Sequence, residues 1–131
     1  MQIAQELYDE MVVHARAEAP NECCGIVSTS NGTAQRVYRI TNSEASQFRF
    51  VMDPKEQLRV YNEIDHAGLT LGAIYHSHTR SDPYPSQTDI NFSDPWPGVV
   101  WIIVGLAGAE PEVRAFEIRD GQVAPAELLV G

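Results

Sequence analysis

Lysine is almost absent from this sequence, and its basic residues are few and scattered. Lys55 is the only lysine, and nine basic residues stand against eighteen acidic ones, which gives a formal net charge of −9. A protein that binds nucleic acid needs a clustered basic surface to displace counterions from phosphate groups. The composition therefore excludes a nucleic-acid partner, and the acidic charge mainly favours solubility.

Cysteine is also scarce, since Cys23 and Cys24 are the only two and they are adjacent. Neighbouring cysteines cannot join distant parts of a fold, and this pair lacks the spacing of a cysteine-based zinc site. We expect both to be small buried hydrophobic residues on a strand, in preference to a redox pair.

Long apolar runs are missing as well. No stretch approaches the roughly 20 residues needed to span a membrane. The N-terminal residues MQIAQELYDE lack the basic start and apolar core of a signal peptide. A cytoplasmic protein without a membrane partner is therefore expected, and 131 residues are enough for one domain over residues 1–131 with its own core.

The hydrophobic pattern predicts helices alternating with strands. A first helix is predicted over residues 2–18, where apolar residues recur every four positions. A second should begin after Asp53, a capping residue followed by proline, and end near Ala67 before Gly68. Ser86 and Asp89, three residues apart, are typical of the start of a short third helix.

Short apolar or alternating runs bounded by turn residues predict the strands. They cover residues 23–30, 33–41, 48–52, 70–77, 98–106 and 112–119, with a last extended segment after the Asp120-Gly121 turn. Helices mixed with strands in this way predict an α/β fold, with a mixed sheet flanked by helices on both sides.

One segment carries groups suited to chemistry: His76-Ser77-His78, then Ser86 and Asp89. Residues i and i+2 of a strand project from the same face, so both imidazoles can point at one object. Two imidazoles and one carboxylate leave a tetrahedral zinc ion with one open position, as in catalytic zinc sites.

Each part of this segment has a simpler explanation. Two histidines at i and i+2 are equally consistent with a surface pair, and Ser86 with Asp89 is consistent with a helix cap alone. Their coincidence at the mouth of one buried strand favours the metal site. A deaminase-type zinc enzyme is disfavoured because its Pro-Cys-x-x-Cys ligand pair is absent.

The run His76-x-His78-x7-Ser86-x2-Asp89, preceded by Glu22 in the stretch PNECCG, resembles the JAMM motif of the JAB1/MPN metalloprotease family. The likeness extends over nearly the whole chain and implies the JAB1/MPN fold, which is cytidine deaminase-like. Within that family, the segments TNSEAS, EQL, IYHSHT and YPSQTDI look like the bacterial Mec branch. Those enzymes remove cysteine from the C-terminus of a ubiquitin-like sulfur-carrier protein during cysteine biosynthesis.

The resemblance implies a role for each matching residue. His76, His78 and Asp89 would hold one Zn²⁺ per chain, Glu22 would hold the catalytic water and accept its proton, and Ser86 would stabilise the tetrahedral intermediate. Most family members have proline where this chain has Thr79. We expect that departure to affect substrate fit more than catalytic competence.

The expected partner is a small ubiquitin-like sulfur carrier that ends in Gly-Gly and bears a C-terminal cysteine. The alternatives are cleavage of another ubiquitin-like conjugate, trimming of a tail, and a non-catalytic MPN scaffold. Arg49 and Arg80 are candidates to bind a terminal carboxylate, although both are expected to be solvated. His14 is predicted to be exposed, and Trp96 and Trp101 to be core or interface anchors.

Overall fold

One mixed sheet of eight strands organises the chain, in a computed structural model that describes residues 1–131. The strands are β1 (Gln2–Ile3), β2 (Cys24–Ser30), β3 (Thr33–Ile40), β4 (Thr70–His78), β5 (Val100–Gly105), β6 (Glu112–Arg119), β7 (Gln122–Ala126) and β8 (Leu129–Val130). The helices are α1 (Gln5–Glu18), α2 (Pro54–His66) and α3 (Gln87–Phe92). The predicted α/β class is confirmed.

The strand order is β7-β6-β5-β4-β2-β3-β1-β8. β4 and β5 are parallel, and β1 is parallel to both β3 and β8, whereas the remaining neighbours are antiparallel. Of the two central strands, β2 is almost entirely buried, and β4 is buried from Ala73 to His78. Each contains a short apolar run, as strands covered on both faces do, but each ends in polar residues, STS in β2 and HSH in β4.

Two hydrophobic clusters form, one on each face of the sheet. Helix α1 buries Met11 and Ala15 in one cluster together with Tyr75, and α2 buries Val60 and Ile64 in the other. The side chains of neighbouring β4 residues therefore point to opposite faces of the sheet, as in any pleated strand. None of the three helices has the length and apolar character needed to cross a membrane.

The start of α2 follows the predicted capping pattern. The Asp53 carboxylate accepts a hydrogen bond from the Glu56 amide at 3.0 Å, and Pro54 opens the helix. Gly68 follows the helix end with φ of 70°, a left-handed conformation that glycine adopts without strain. This local chemistry fixes the helix independently of its packing.

Three expectations about elements need correction. Helix α1 begins at Gln5, because Gln2 and Ile3 pair with β3 and β8 as a short strand. Residues 48–52 do not form a strand; they run as a loop whose only ladder contact is the Asn42–Met52 bridge. The last extended segment divides into β7 and β8.

His14 is not exposed, contrary to the prediction. It lies three residues after the buried Met11 on the inner face of α1, and it is 5% exposed. Its Nδ1 atom is 2.7 Å from the Tyr75 hydroxyl, which gives both buried groups a hydrogen-bond partner. Gly25 packs against the same tyrosine so closely that an added Cβ would overlap the ring.

Both cysteines are buried, as predicted, with exposures of 1% for Cys23 and 0% for Cys24. Burial raises the pKa of Cys23 to about 12 and raises the pKa of Cys24 as well. Neither thiol is a ready nucleophile at neutral pH, because reactivity requires the thiolate. Packing is therefore the role that the structure supports.

Candidate metal centre

The C-terminal end of β4 carries the two histidines on the face of the sheet that α2 covers. His76 is 0% exposed and His78 is 5% exposed. Phe50 stacks on the His76 ring, with ring centroids 4.7 Å apart. Helix α3 brings Asp89, 3% exposed, to the same place from a segment eleven residues further along the chain.

Three ligand atoms form a nearly equilateral triangle. The Nε2 atoms of His76 and His78 are 3.2 Å apart, and each lies 3.1 Å from Oδ2 of Asp89. Two ligands of a tetrahedral zinc ion at bond lengths of 2.0–2.1 Å are roughly 3.3 Å apart. The triangle therefore has the size and the donor set of a zinc site.

The histidine tautomer also fits a cation. Nδ1 of His78 lies 2.9 Å from the carbonyl oxygen of Asp82 and donates to it. In the neutral ring this leaves a lone pair on Nε2, directed at a carboxylate and a second imidazole. Nδ1 of His76 has no hydrogen-bond partner. When the His76 proton lies on that atom, all three atoms that face one another are acceptors and need a cation or additional protons between them. Burial by itself would lower the pKa of His78, but hydrogen bonds to Asp89 and Asp82 raise it.

Asp89 is both a helix-capping residue and a candidate ligand. Its amide donates to Ser86 Oγ at 3.1 Å, while its Oδ2 accepts from the Ser86 amide at 2.9 Å. The cap thus orients the oxygen that the two histidines face. Burial opposes ionisation of Asp89, but the two histidines and the Ser86 amide hold its pKa well below the usual range.

Glu22 stands opposite His78 at the end of the sheet. β2 and β4 pair Cys24 with His76, and the Ser77 amide donates to the Cys23 carbonyl at 3.3 Å, so the antiparallel register continues towards Glu22. The side chain of Glu22 is 4% exposed, and its Oε1 atom has no hydrogen-bond partner. It lies outside the group of three metal-ligating atoms.

The electrostatics of Glu22 suit a proton acceptor. Burial raises its pKa to about 8, an effect that His78 opposes and Asp89 reinforces. A general base is most effective when its pKa lies near the working pH. A cation bound beside it would lower the pKa again and keep the carboxylate available.

The hydroxyl of Ser86 remains able to donate a hydrogen bond. Its oxygen accepts from the Asp89 amide, and no acceptor within the chain takes its proton. Ser86 is partly buried, unlike Asp89. A free hydroxyl donor beside the candidate ligands is the kind of group that can stabilise a developing oxyanion.

The remaining candidates are placed as follows. Thr79 donates its hydroxyl to the Pro20 carbonyl at 2.9 Å, which joins the loop after His78 to the segment before Glu22. Arg49 is paired with Glu44 at 2.8 Å in an exposed ion pair. Arg80 is exposed on the surface.

Sequence reasoning missed Phe50, which was assigned to a strand, and the pocket next to it. A cavity of about 170 Å³ has mainly apolar walls. Its lining includes Phe50, Val51, Met52, Phe92, Trp96 and Trp101. The run FRFVM signals apolar character, but it does not reveal that the run folds over His76.

Comparison with known proteins agrees with this geometry. Residues 4–119 match the family model for prokaryotic homologs of the JAB domain. The chain is 34% identical over 124 residues to the CysO-cysteine peptidase of Mycobacterium tuberculosis, covering 92% of this chain and 84% of that protein. It is 32% identical over 115 residues to the desampylase of Haloferax volcanii, covering 82% of each chain.

The fold is shared with a crystal structure of a JAB1/MPN domain protein from Archaeoglobus fulgidus. That structure has a TM-score of 0.65 and 20% identity, with 98% of this chain and 99% of the other covered. The predicted JAB1/MPN fold is therefore confirmed. The extent of these matches shows that the chain belongs to the prokaryotic JAB domain family of JAMM metallopeptidases.

Proposed function

We propose that this enzyme hydrolyses the C-terminal peptide bond of a ubiquitin-like sulfur-carrier protein and releases cysteine, with one Zn²⁺ in the His76–His78–Asp89 site. The observation that carries the proposal is the triangle of three ligand atoms beside an unpartnered, buried Glu22. The peptidase names of the CysO-cysteine peptidase and the desampylase support cleavage of ubiquitin-like carriers or conjugates.

The metal would be held by His76 Nε2, His78 Nε2 and a carboxylate oxygen of Asp89. A zinc ion in such a site supplies Lewis acidity and lowers the pKa of water to about 7. Glu22 accepts the proton of the attacking water and then passes it to the departing amine. Its burial shields the carboxyl from competing solvent.

Ser86 donates its hydroxyl to the oxyanion that forms on the scissile carbonyl. One such donor typically lowers the barrier by about 2.7–4 kcal/mol. The capping bond from the Asp89 amide fixes the Ser86 oxygen while leaving its proton available. No side chain is required as a nucleophile, and neither cysteine thiol is ionised for that role.

The surroundings of the site favour an extended, partly apolar tail. The amide and carbonyl of Phe50 make no main-chain hydrogen bond, and its ring lies on His76. The apolar pocket next to Phe50 is large enough for one side chain. An extended peptide bound along an unpaired stretch of main chain gains main-chain hydrogen bonds and places alternate side chains in pockets.

Buried ligands also favour glycine at the bond to be cut. His76 and His78 are at most 5% exposed, so little of either ring is accessible to a substrate. Residues without a Cβ bring a carbonyl close to a recessed group most easily. This agrees with a carrier that ends in Gly-Gly before the cysteine.

A second candidate is an isopeptidase acting on a ubiquitin-like conjugate. It is supported by the likeness to the desampylase of Haloferax volcanii, and by the ion pair with Glu44 that already occupies Arg49, one candidate for binding a terminal α-carboxylate. The scaffold alternative is disfavoured, because the metal-ligating group is complete and the chain belongs to a peptidase family.

The function is tested with a sulfur-carrier protein ending in Gly-Gly-Cys and the same carrier ending in Gly-Gly. We expect mass spectrometry to show loss of one cysteine residue from the first and no change in the second. Glu22→Gln should bind about one zinc per chain, as the native protein does, and hydrolyse nothing. Equal hydrolysis by both proteins would remove Glu22 from the mechanism, and an unchanged carrier would exclude the cysteine-releasing function.

A further inference from the structure

The side chain of Asn42 uses its full hydrogen-bonding capacity on main-chain groups. Its Nδ2 atom donates to the carbonyls of Glu22 and Arg49, both at 3.0 Å. Its Oδ1 atom accepts from the amides of Val51 at 3.0 Å and Glu44 at 3.2 Å. A carboxamide has two N–H donors and two acceptor lone pairs, so all four are used.

These bonds join Glu22 to the loop of residues 43–51. The amide of Glu22 donates to the Ser46 carbonyl at 2.8 Å, and its carbonyl accepts from Asn42. β2 begins only at Cys24, so no sheet ladder holds the main chain of Glu22. Asn42 and the 43–51 loop together satisfy both of its backbone polar groups.

The side chain of Glu22 has no comparable restraint. Its Oε1 atom is buried and has no hydrogen-bond partner. The position of the carboxyl therefore depends on where the main chain is held. A base must lie within roughly 2.6–3.2 Å of the proton that it accepts, and a misplacement of about 1 Å can lower a rate on the order of 100-fold.

We propose that Asn42 is a positioning residue for the reaction. Its carboxamide fixes the main chain of Glu22 against the 43–51 loop and so sets the position of the Glu22 carboxyl. The inference rests on the proposed role of Glu22 as the base. A purely structural role is the alternative, because the same carboxamide also shapes the loop that carries Phe50 over His76. The two roles predict different kinetic effects.

Ser43 provides the matched control. Its hydroxyl donates to the Val51 carbonyl at 3.1 Å within the same loop and makes no bond to Glu22. Ser43→Ala therefore weakens the loop alone. Asn42→Asp is close in shape and keeps the acceptor oxygen, but it loses the donors to Glu22 and Arg49. Asn42→Ala removes all four bonds without adding charge.

The experiment compares kcat and KM of the zinc-loaded variants on a carrier ending in Gly-Gly-Cys. We expect kcat to fall roughly 10- to 100-fold in both Asn42 variants, whatever KM change follows from the loosened loop. Ser43→Ala should leave kcat at the native value, so any effect of the loop alone appears in KM. If the Asn42 variants raise KM and leave kcat at the native value, the carboxamide only shapes the loop and the proposal is wrong.

Amide hydrogen exchange gives a second readout that does not depend on turnover. We expect the Glu22 amide to exchange about tenfold faster or more in both Asn42 variants, because opening of its bond to Ser46 becomes easier. Ser43→Ala should leave that amide at its native rate. Unchanged exchange at Glu22 in a folded Asn42 variant would also overturn the proposal.

Failure of this inference differs from failure of the proposed function. If the native protein cleaves the carrier and the Asn42 variants keep the native kcat, only the role of Asn42 is excluded. If the native protein cleaves nothing, the function is wrong, and the exchange experiment still decides whether Asn42 holds Glu22. A variant that does not fold is replaced by the other one, since both lose the bond to Glu22.

Discussion

The ionisation of Glu22 is strongly affected by its surroundings. In the absence of a cation its pKa is raised from 4.5 to about 8, chiefly by burial. Between these two pH values the folded protein keeps a proton that the unfolded chain has released. Its contribution to stability is therefore fully present below pH 4.5 and is lost as the pH rises towards 8.

We accordingly expect the melting temperature of the chelator-treated protein to fall between pH 5 and pH 8, within the window set by the Glu22 shift. The raised pKa of His78 acts in the same direction, so the comparison must be with Glu22→Gln, which has no carboxyl to titrate. Thermal unfolding at several pH values should give a shallower decline for the variant. Parallel curves for the two proteins would contradict the assignment.

The sequence identifies residues whose interactions are with sequence neighbours, and it misses residues whose partners are distant in the chain. His76 and His78 share a strand face, and Asp53 caps its own helix, so neighbouring residues predict both. Asn42 acts on Glu22, twenty positions away, and His14 on Tyr75, sixty-one positions away. A periodic sequence pattern cannot predict these two contacts, because only the tertiary fold brings the residues together.

At the scale of elements, two helix starts can be compared directly. Ser86 caps α3 and Asp53 caps α2, and each accepts a hydrogen bond from an amide three residues on. Only the first cap adjoins the metal-ligating group, through Asp89. The same local motif thus has a structural role in one helix and a structural and chemical role in the other.

Ser86→Ala and Asp53→Ala should therefore differ in activity. Loss of either cap typically destabilises a protein by about 0.5–2 kcal/mol. In Ser86→Ala the main-chain bond to Asp89 Oδ2 remains, so zinc content should be native while kcat falls on the order of 100- to 1000-fold. Asp53→Ala should retain native kcat. Denaturant unfolding and steady-state kinetics on the same samples check both statements, and a native kcat in Ser86→Ala would exclude the oxyanion role.

Residues 48–52, FRFVM, were predicted as a strand but form a loop, so a short apolar run alone does not establish a strand. Its aromatic and branched apolar residues satisfy the local sequence criteria for a strand. Its ladder partners are replaced by the Asn42 side chain, which bonds the Arg49 carbonyl and the Val51 amide. The Asn42 carboxamide thereby holds this segment as a loop, in which Phe50 packs over His76.

For the whole molecule, the site joins elements that are distant in sequence. β4 supplies two candidate ligands, α3 supplies the third, and the segment before β2 supplies Glu22. The three ligand atoms are 3.1–3.2 Å apart and mutually repulsive unless a proton or a cation lies between them. Metal binding should consequently be coupled to the stability of the entire fold.

Zinc removal should lower the melting temperature of the native chain, and added zinc should restore it. A ligand that binds only the folded state stabilises it by about 2.7 kcal/mol at a free concentration of 100 times its Kd. His78→Ala removes one ligand and should show no zinc-dependent shift, and Glu22→Gln should keep the shift because Glu22 is outside the ligand triangle. Differential scanning calorimetry with a chelator and with zinc measures all three proteins. If zinc leaves the native melting temperature unchanged while His76, His78 and Asp89 are intact, these residues do not form a metal site.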